Sequence, residues 1–457
     1  MSTAPQLPEE NQQVHSSDKA WIVSVNMGYG HDRAAYPLSD IANGGIISAN
    51  DYIDMPIGDR KIWDSTRSFY ERFSRLKNLP VVGDSLFEVL DRWQEIQPFY
   101  PIRDLSRPSI QVRAIYRLFK QKNFLRHLIE TKLAKNNLPL ISTFFIPALA
   151  ADYYGYKNDI YCVITDTDMS RAWVPLQPRK TKIKYFAPSR RVVERLKLYG
   201  VPQSNILLTG FPLPKENIGG VEKTNIKRDL GRRLAQLDRG GNYMRRFSES
   251  VTEILGQDNI RSAVSHPLTV MFAVGGAGAQ RNMVGDILRS FQSKLKREDV
   301  RLFLVAGSRD DVRDHFEREI EKCGLSGMLG RSVRLIYNEN RFKYFSEFND
   351  ALRSTDVLWT KPSELSFYAG LGIPIIMADP IGSQEEFNFD WLRNVGAGIP
   401  QEDPRYASEW LDDWIHSGWL ARAAVGGFVN APKRGTYRIE EIIAHKKQVL
   451  PEPIEPV

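Results

Sequence analysis

Short apolar runs recur along the chain, each closed by glycine, proline or charged residues and followed by a stretch with apolar positions at helical spacing. In the first half the runs fall at 21–25, 46–52, 140–145, 160–165, 183–187 and 206–209, with a helical pattern such as 190–199 between them. In the second half they fall at 268–274, 300–306, 333–337, 357–359 and 373–377, with helical patterns over 283–295, 311–323 and 342–353. Apolar runs of this length, without strict alternation and separated by helices, are the mark of parallel strands covered on both faces. The pattern predicts an α/β chain of two Rossmann-like doubly wound parallel-sheet domains facing a central cleft.

Between the second and third runs lies a long interval, 61–137, read as helices broken at Pro80, Pro98, Pro101 and Pro108. It is far longer than an ordinary crossover. Its last part, 110–129, sets apolar residues at helical spacing beside Arg113, Arg117, Lys120, Lys122 and Arg126. Such a helix can lie on an anionic membrane, but packing on a sheet is the commoner use of the same pattern and is the reading preferred. Phe69, Tyr70, Phe73, Trp93, Phe99 and Tyr100 suggest that this interval covers an acceptor pocket. Pro212 and Pro214 mark a hinge. The expected division is an arm at 1–18, a first domain at 19–212, a second at 213–430 and a helix at 431–457 returning toward the first domain.

With 457 residues, 42% hydrophobic and 26% charged, the chain has ample material for two cores, and it contains no apolar run of about 18 residues that would span a bilayer. The polar first 18 residues lack the apolar stretch of a signal peptide. Cys162 and Cys323 give neither a disulfide framework nor metal-ligand spacing, which fits a reducing cytoplasm. The net charge of +7 favours anionic partners such as nucleotide phosphates or acidic lipid heads, yet it is too diffuse to argue for nucleic acid.

Three stretches carry candidate chemistry. The first run breaks into Gly28-Tyr29-Gly30-His31-Asp32-Arg33, a glycine turn entering a helix, where backbone can approach a ligand. His31 at that entrance reads equally as a proton acceptor near neutral pH or as a helix-start residue bonded to backbone. Asp166-Thr167-Asp168 closes a strand of the same domain. Carboxylates spaced in this way can hold a divalent metal on a diphosphate, bond turn amides, or place one Asp beside His31 to orient it or act as base. The last is preferred, because phosphate-binding signals elsewhere make a metal unnecessary. Those signals are Gly275, Gly276 and Gly278 between a strand and a helix, and the stretch 356–388. Within it Ser363 is placed to cap a helix, Lys361 adds positive charge, and Glu364, Gln384, Glu385 and Asn388 offer groups for ribose or sugar hydroxyls, the last three in a loop.

Taken in order, the Gly-Tyr-Gly-His turn, the Gly275-Gly276-Ala277-Gly278 loop and Ser383-Gln384-Glu385-Glu386-Phe387-Asn388 resemble the GT-B glycosyltransferases. The group meant is that of monogalactosyldiacylglycerol synthases, processive diacylglycerol glucosyltransferases and the peptidoglycan N-acetylglucosaminyltransferase. The resemblance implies that the histidine turn opens the acceptor side and that the Gln-Glu pair with the following Asn helps hold donor sugar and diphosphate. Two departures stand out: Tyr29 replaces a small residue, and 361–364 is shortened against the relatives' Lys, glycine turn and later Glu. The expected function is an inverting, metal-independent transfer of a sugar from a nucleotide diphosphate, UDP by expectation, to a hydroxyl acceptor. His31 and Asp166 would be catalytic, and Gly28, Gly30, Gly275, Gly276, Gly278, Lys361, Ser363, Glu364, Gln384, Glu385 and Asn388 substrate-binding. No cofactor, metal or nucleic acid is expected. The acceptor could be lipid-linked, with the protein cytoplasmic or peripheral on the inner membrane face. The alternatives are a nucleotide-sugar epimerase of the same fold and a non-catalytic nucleotide-sugar-binding protein.

Overall fold

Each apolar run becomes a strand of one of two parallel sheets. The computed structural model describes residues 18–65, 96–261, 266–276, 278, 280–380 and 382–444. Most of the expected arm, the aromatic residues Phe69, Tyr70, Phe73 and Trp93, and residues 445–457 lie outside the described residues. The first sheet comprises β1 (Ala20–Ser24), β2 (Ala42–Ser48), β3 (Leu140–Ser142), β4 (Ile160–Val163), β5 (Ile183–Ala187) and β6 (Ile206–Leu208), in the order β2-β1-β3-β4-β5-β6. The second comprises β7 (Leu268–Ala273), β8 (Val300–Gly307), β9 (Val333–Tyr337), β10 (Val357–Thr360), β11 (Ile375–Met377) and β12 (Gly398–Pro400), in the order β12-β11-β10-β7-β8-β9.

Both sheets are doubly wound. The chain reverses its direction of travel across the sheet between β1 and β3 in the first lobe and between β7 and β10 in the second. Ligands of open α/β sheets bind beyond the carboxyl ends of the strands at such points. Two expectations about strands needed correction. The second strand begins at Ala42, not at residue 46, because it is a half-exposed edge strand whose glycines hide it from an apolar pattern. β12 escaped notice as a three-residue edge strand ending in Pro400.

Parallel strands buried on both faces divide their side chains between two cores. Trp21 and Val23 face a cluster on one side of the first sheet, completed by Val112, Ile115 and Phe119 of the helix Ile110–Lys122. Arg113, Arg117, Lys120 and Lys122 of that helix point outward, so it is a surface helix packed on its domain. Ala20 and Ile22 face a second cluster that runs without a break through the helix Gly30–Ala35 and Leu38 into the interior of the second lobe.

The segment linking the lobes is itself buried. Phe211 and Leu213 are fully enclosed, and the Phe211 ring stacks on Phe367 at 4.7 Å. The helix Gly435–Ile443 lies across it: Thr436 donates to the Leu213 carbonyl, and Lys215 bridges Asp40 of the first lobe and Glu440 of this helix. Gly435 has no room for a side chain, because an added Cβ would run into the Phe211 carbonyl. Gly435→Ala should therefore destabilise the chain by about 1–3 kcal/mol in urea unfolding, as overpacking does. Gly327→Ala, where an added Cβ meets nothing within 4 Å, should stay within about 0.5 kcal/mol.

Candidate functional site

The first reversal point lies where β1 ends. Gly28 there has φ +88°, a conformation glycine takes without strain, and the helix Gly30–Ala35 follows at once. His31, half-buried on this helix, has its Nδ1 2.8 Å from the carbonyl oxygen of Thr143, just past β3. A carbonyl can only accept, so the ring proton sits on Nδ1 and the Nε2 lone pair is available. The ring packs on Phe144 at 4.6 Å, with Trp173 at 6.2 Å. Burial lowers the His31 pKa to about 4, against smaller upward pulls from the Thr143 bond and Asp32. His31 is thus neutral at physiological pH.

The neighbours of His31 reach the other way. Tyr29 is buried in the second lobe, where its hydroxyl accepts from the Ser308 amide at 2.7 Å and its ring lies 5.2 Å from Tyr344. Asp32 accepts from Ser24 Oγ at 2.6 Å and pairs with Arg341, which also donates to the Gly28 carbonyl at 3.0 Å. Arg33, only 2% exposed, donates through Nη2 to the Tyr344 hydroxyl at 2.8 Å and through Nε to Glu364 Oε1 at 3.3 Å. Its guanidinium lies 4.3 Å from the centre of the Phe348 ring and 4.9 Å from that of Phe345.

At the second reversal point β7 gives way to Gly275 and Gly276, and β10 to Lys361, Pro362, Ser363 and Glu364. Lys361 lies along Gly275, where an added Cβ would come within 2.5 Å of its Cε, and it pairs with Glu385. An added Cβ on Gly276 would lie 3.0 Å from Gly28 Cα, so the two glycine turns face each other across the lobes. Asn388 closes the gap from the second lobe: its Oδ1 accepts from the Thr167 amide at 3.0 Å and its Nδ2 donates to Asp166 Oδ1 at 3.2 Å. Gly30 also borders the second lobe, its Cβ direction pointing to Glu364 Oε2 at 3.4 Å.

Several expectations are corrected at this site. Residues 384–388 are not a loop but the start of the helix Ser383–Asn394, which puts Gln384, Glu385 and Asn388 on neighbouring turns, with Gln384 half-buried. Ser363 holds the N-cap position of a 3-10 helix, Glu364–Leu371, but its side chain makes no capping bond. The Gly278 amide is already used by the Gly275 carbonyl at 2.7 Å and is not free for phosphate. Asp166 does not orient His31, a task the Thr143 carbonyl performs. Asp168 turns inward, its two oxygens each 2.8 Å from a nitrogen of Arg195, so Asp166 and Asp168 do not present their carboxylates together. Of the aromatic residues expected over an acceptor pocket, Tyr100 is exposed, and Phe99 lies under the guanidinium of Arg191 at 4.1 Å. Sequence reasoning missed Tyr29, Arg33, Arg341 and Tyr344 as parts of the site. The one available signal was the aromatic spacing of Tyr344, Phe345 and Phe348 on one helix face.

The arrangement places Asp166 near Glu364, Glu385 and Lys361. Burial raises the Asp166 pKa to about 6; the Asn388 bond opposes the rise, Glu364 and Glu385 add to it, and Lys361 moderates it. A carboxyl raised in the folded state holds its proton between the unfolded value and about 6, so its ionisation costs stability as pH rises through that window. Asp166→Asn keeps an oxygen for Asn388 and removes the charge. It should raise stability at pH 7 by roughly 1–3 kcal/mol, a gain that disappears below about pH 4 when melting is followed against pH.

Comparison with known proteins adds a second line of observation. Residues 241–329 and 325–437, within the second lobe, match the family described as a domain of unknown function (DUF6938). A processive diacylglycerol beta-glucosyltransferase of Bacillus cytotoxicus is 22% identical over 282 residues, which is 61% of this chain and 58% of that protein. The chain thus matches less than two thirds of that relative's length. Among solved structures, MurG of Acinetobacter baumannii is 12% identical with a TM-score of 0.44, over 93% of this chain and 99% of that one. UDP-GlcNAc 2-epimerase from Neisseria meningitidis, bound to UDP-GlcNAc, is also 12% identical with a TM-score of 0.44, over 94% of this chain and 100% of that one. The chain has two Rossmann-like parallel-sheet domains, and over 282 residues its sequence is similar to that of a processive diacylglycerol beta-glucosyltransferase.

Proposed function

We propose that this chain is an inverting glycosyltransferase that moves a sugar from a nucleotide diphosphate, UDP by expectation, to an acceptor hydroxyl without a metal ion. The observation that carries the reading is the facing of the two reversal points. A neutral imidazole whose Nε2 has no hydrogen bond among the described residues stands at one, and a lysine over a glycine turn stands at the other.

In this reading the acceptor hydroxyl gives its proton to His31 Nε2 as its oxygen attacks the anomeric carbon from the side opposite the leaving group. The bond from that carbon to the diphosphate oxygen breaks, and the electron pair leaves with the nucleotide. Half-exposed Gly275 and Gly276 would lend amides to the departing diphosphate, and Lys361 would lend its charge. Glu364 would take ribose hydroxyls and Gln384 and Glu385 the sugar, while the expected role of Asn388 is narrowed to holding Thr167 and Asp166 beside them, because both ends of its amide are engaged there. The expected role of Gly278 is narrowed to shaping the turn, because its amide is spent within it. Inward-turned Asp168 supports the metal-free form of the reaction, since the Asp166–Asp168 pair does not converge on a common point. The similarity to a glucosyltransferase supports a sugar nucleotide as donor. No helix of the described residues is long and apolar enough to cross a membrane.

Two measurements test the chemistry. His31→Ala should lower turnover of UDP-sugar by about 100-fold or more, as loss of a general base does, while UDP affinity by calorimetry changes less than about twofold. Turnover like that of the unaltered protein would remove His31 from the reaction. The pH dependence of kcat/KM separates the two candidate bases. With His31 as base, activity should hold from neutral pH down to about 5 and fall toward 4, where the ring gains its proton. A fall centred near 6 would assign the proton to Asp166 instead.

A further inference from the structure

We infer that Arg33 is a positioning residue of the donor site, holding the carboxylate of Glu364 in place from the opposite lobe. The inference rests on the donor reading above, in which Glu364 meets the ribose.

The need for such a residue is visible at Glu364. It begins a 3-10 helix, a form with poorer hydrogen-bond geometry than an α-helix, and the Ser363 side chain does not cap it. The carboxylate therefore sits at a helix start that its own segment does not tie down. Arg33 Nε ties it, bonding Oε1 at 3.3 Å. Oε2 has no hydrogen bond among the described residues, and the side chain of Glu364 is 14% exposed, so one oxygen is held while the other can be reached. Gly30 leaves the space beside Oε2, since an added Cβ would stand 3.4 Å from it.

Arg33 is suited to the task because it is itself fixed. The guanidinium lies 4.3 Å and 4.9 Å from the ring centres of Phe348 and Phe345, its Nη2 is bonded to the Tyr344 hydroxyl, and the side chain is 2% exposed. Lysine cannot reproduce a planar fork on aromatic faces. The same short helix carries His31 two residues earlier, directed to Thr143 of its own lobe. One turn of helix thus sets the imidazole toward one reversal point and the Glu364 carboxylate toward the other.

The test is a double-mutant cycle on UDP binding, read by calorimetry on the full chain, with the unliganded melting temperature recorded beside it. Arg33→Met and Glu364→Gln should each weaken UDP by about tenfold, and the double variant should bind no more weakly than either alone, because both changes remove one interaction. Arg33→Lys should recover part of the loss. Should Arg33→Met lower the melting temperature yet leave UDP affinity unchanged, Arg33 only joins the lobes and the positioning role is wrong. The same holds if the two losses simply multiply. If Arg33→Met does not fold, Arg33→Lys against Glu364→Gln gives the same comparison. Failure of the unaltered chain to bind UDP would instead overturn the donor reading on which this role depends.

Discussion

An arginine removed from water needs compensation, and the side-chain partners of Arg33 all lie in the other half of the chain, with Nη1 left unbonded among the described residues. Tyr344, Phe345 and Phe348 surround the guanidinium and Glu364 opposes its charge. Removing one partner of a buried pair of this kind typically costs about 3–5 kcal/mol, because the other charge stays behind in an apolar place. The lobes are therefore not two bodies joined only by a linker. The helix Gly30–Ala35 belongs to the first lobe by sequence and packs on both, His31 on its own lobe and Arg33 on the other, and a single apolar cluster runs through it. What the glycine turn presents to a ligand is fixed by this shared interior.

The same contact organises the electrostatics. Asp166, Glu364 and Glu385 gather where the lobes meet, with Lys361, Arg33 and Asn388 distributed among them. Burial raises the pKa of Asp166 above the usual carboxylate range, and Glu364 and Glu385 add to the rise. His31 is displaced in the opposite sense and remains neutral. Burial favours the uncharged form of each group, lowering the pKa of His31 and raising that of Asp166, and shifts of this kind are frequent beside clefts. Asp168, two residues from Asp166, shows the contrast: with both oxygens taken by Arg195, it serves the interior of its own lobe.

By itself the sequence determined the strands, their grouping into two parallel sheets and the positions of the glycine turns. These follow from local periodicity, because a strand covered on both faces must be apolar throughout and a helix must repeat its apolar stripe about every four residues. The edge strands β2 and β12 were blurred for the same reason, since their exposure relaxes the demand for apolar residues. Periodicity also could not tell that 384–388 starts a helix: with acidic and polar residues at its first turn, it reads like a solvated loop. The tertiary structure alone decided which side chain each candidate meets. Glu364 is 331 residues from Arg33 and Asn388 is 222 from Asp166, and no local pattern encodes such pairings. A bond between distant residues depends on how two folded lobes settle against each other, and that is set by the packing of the whole interior rather than by any segment within it.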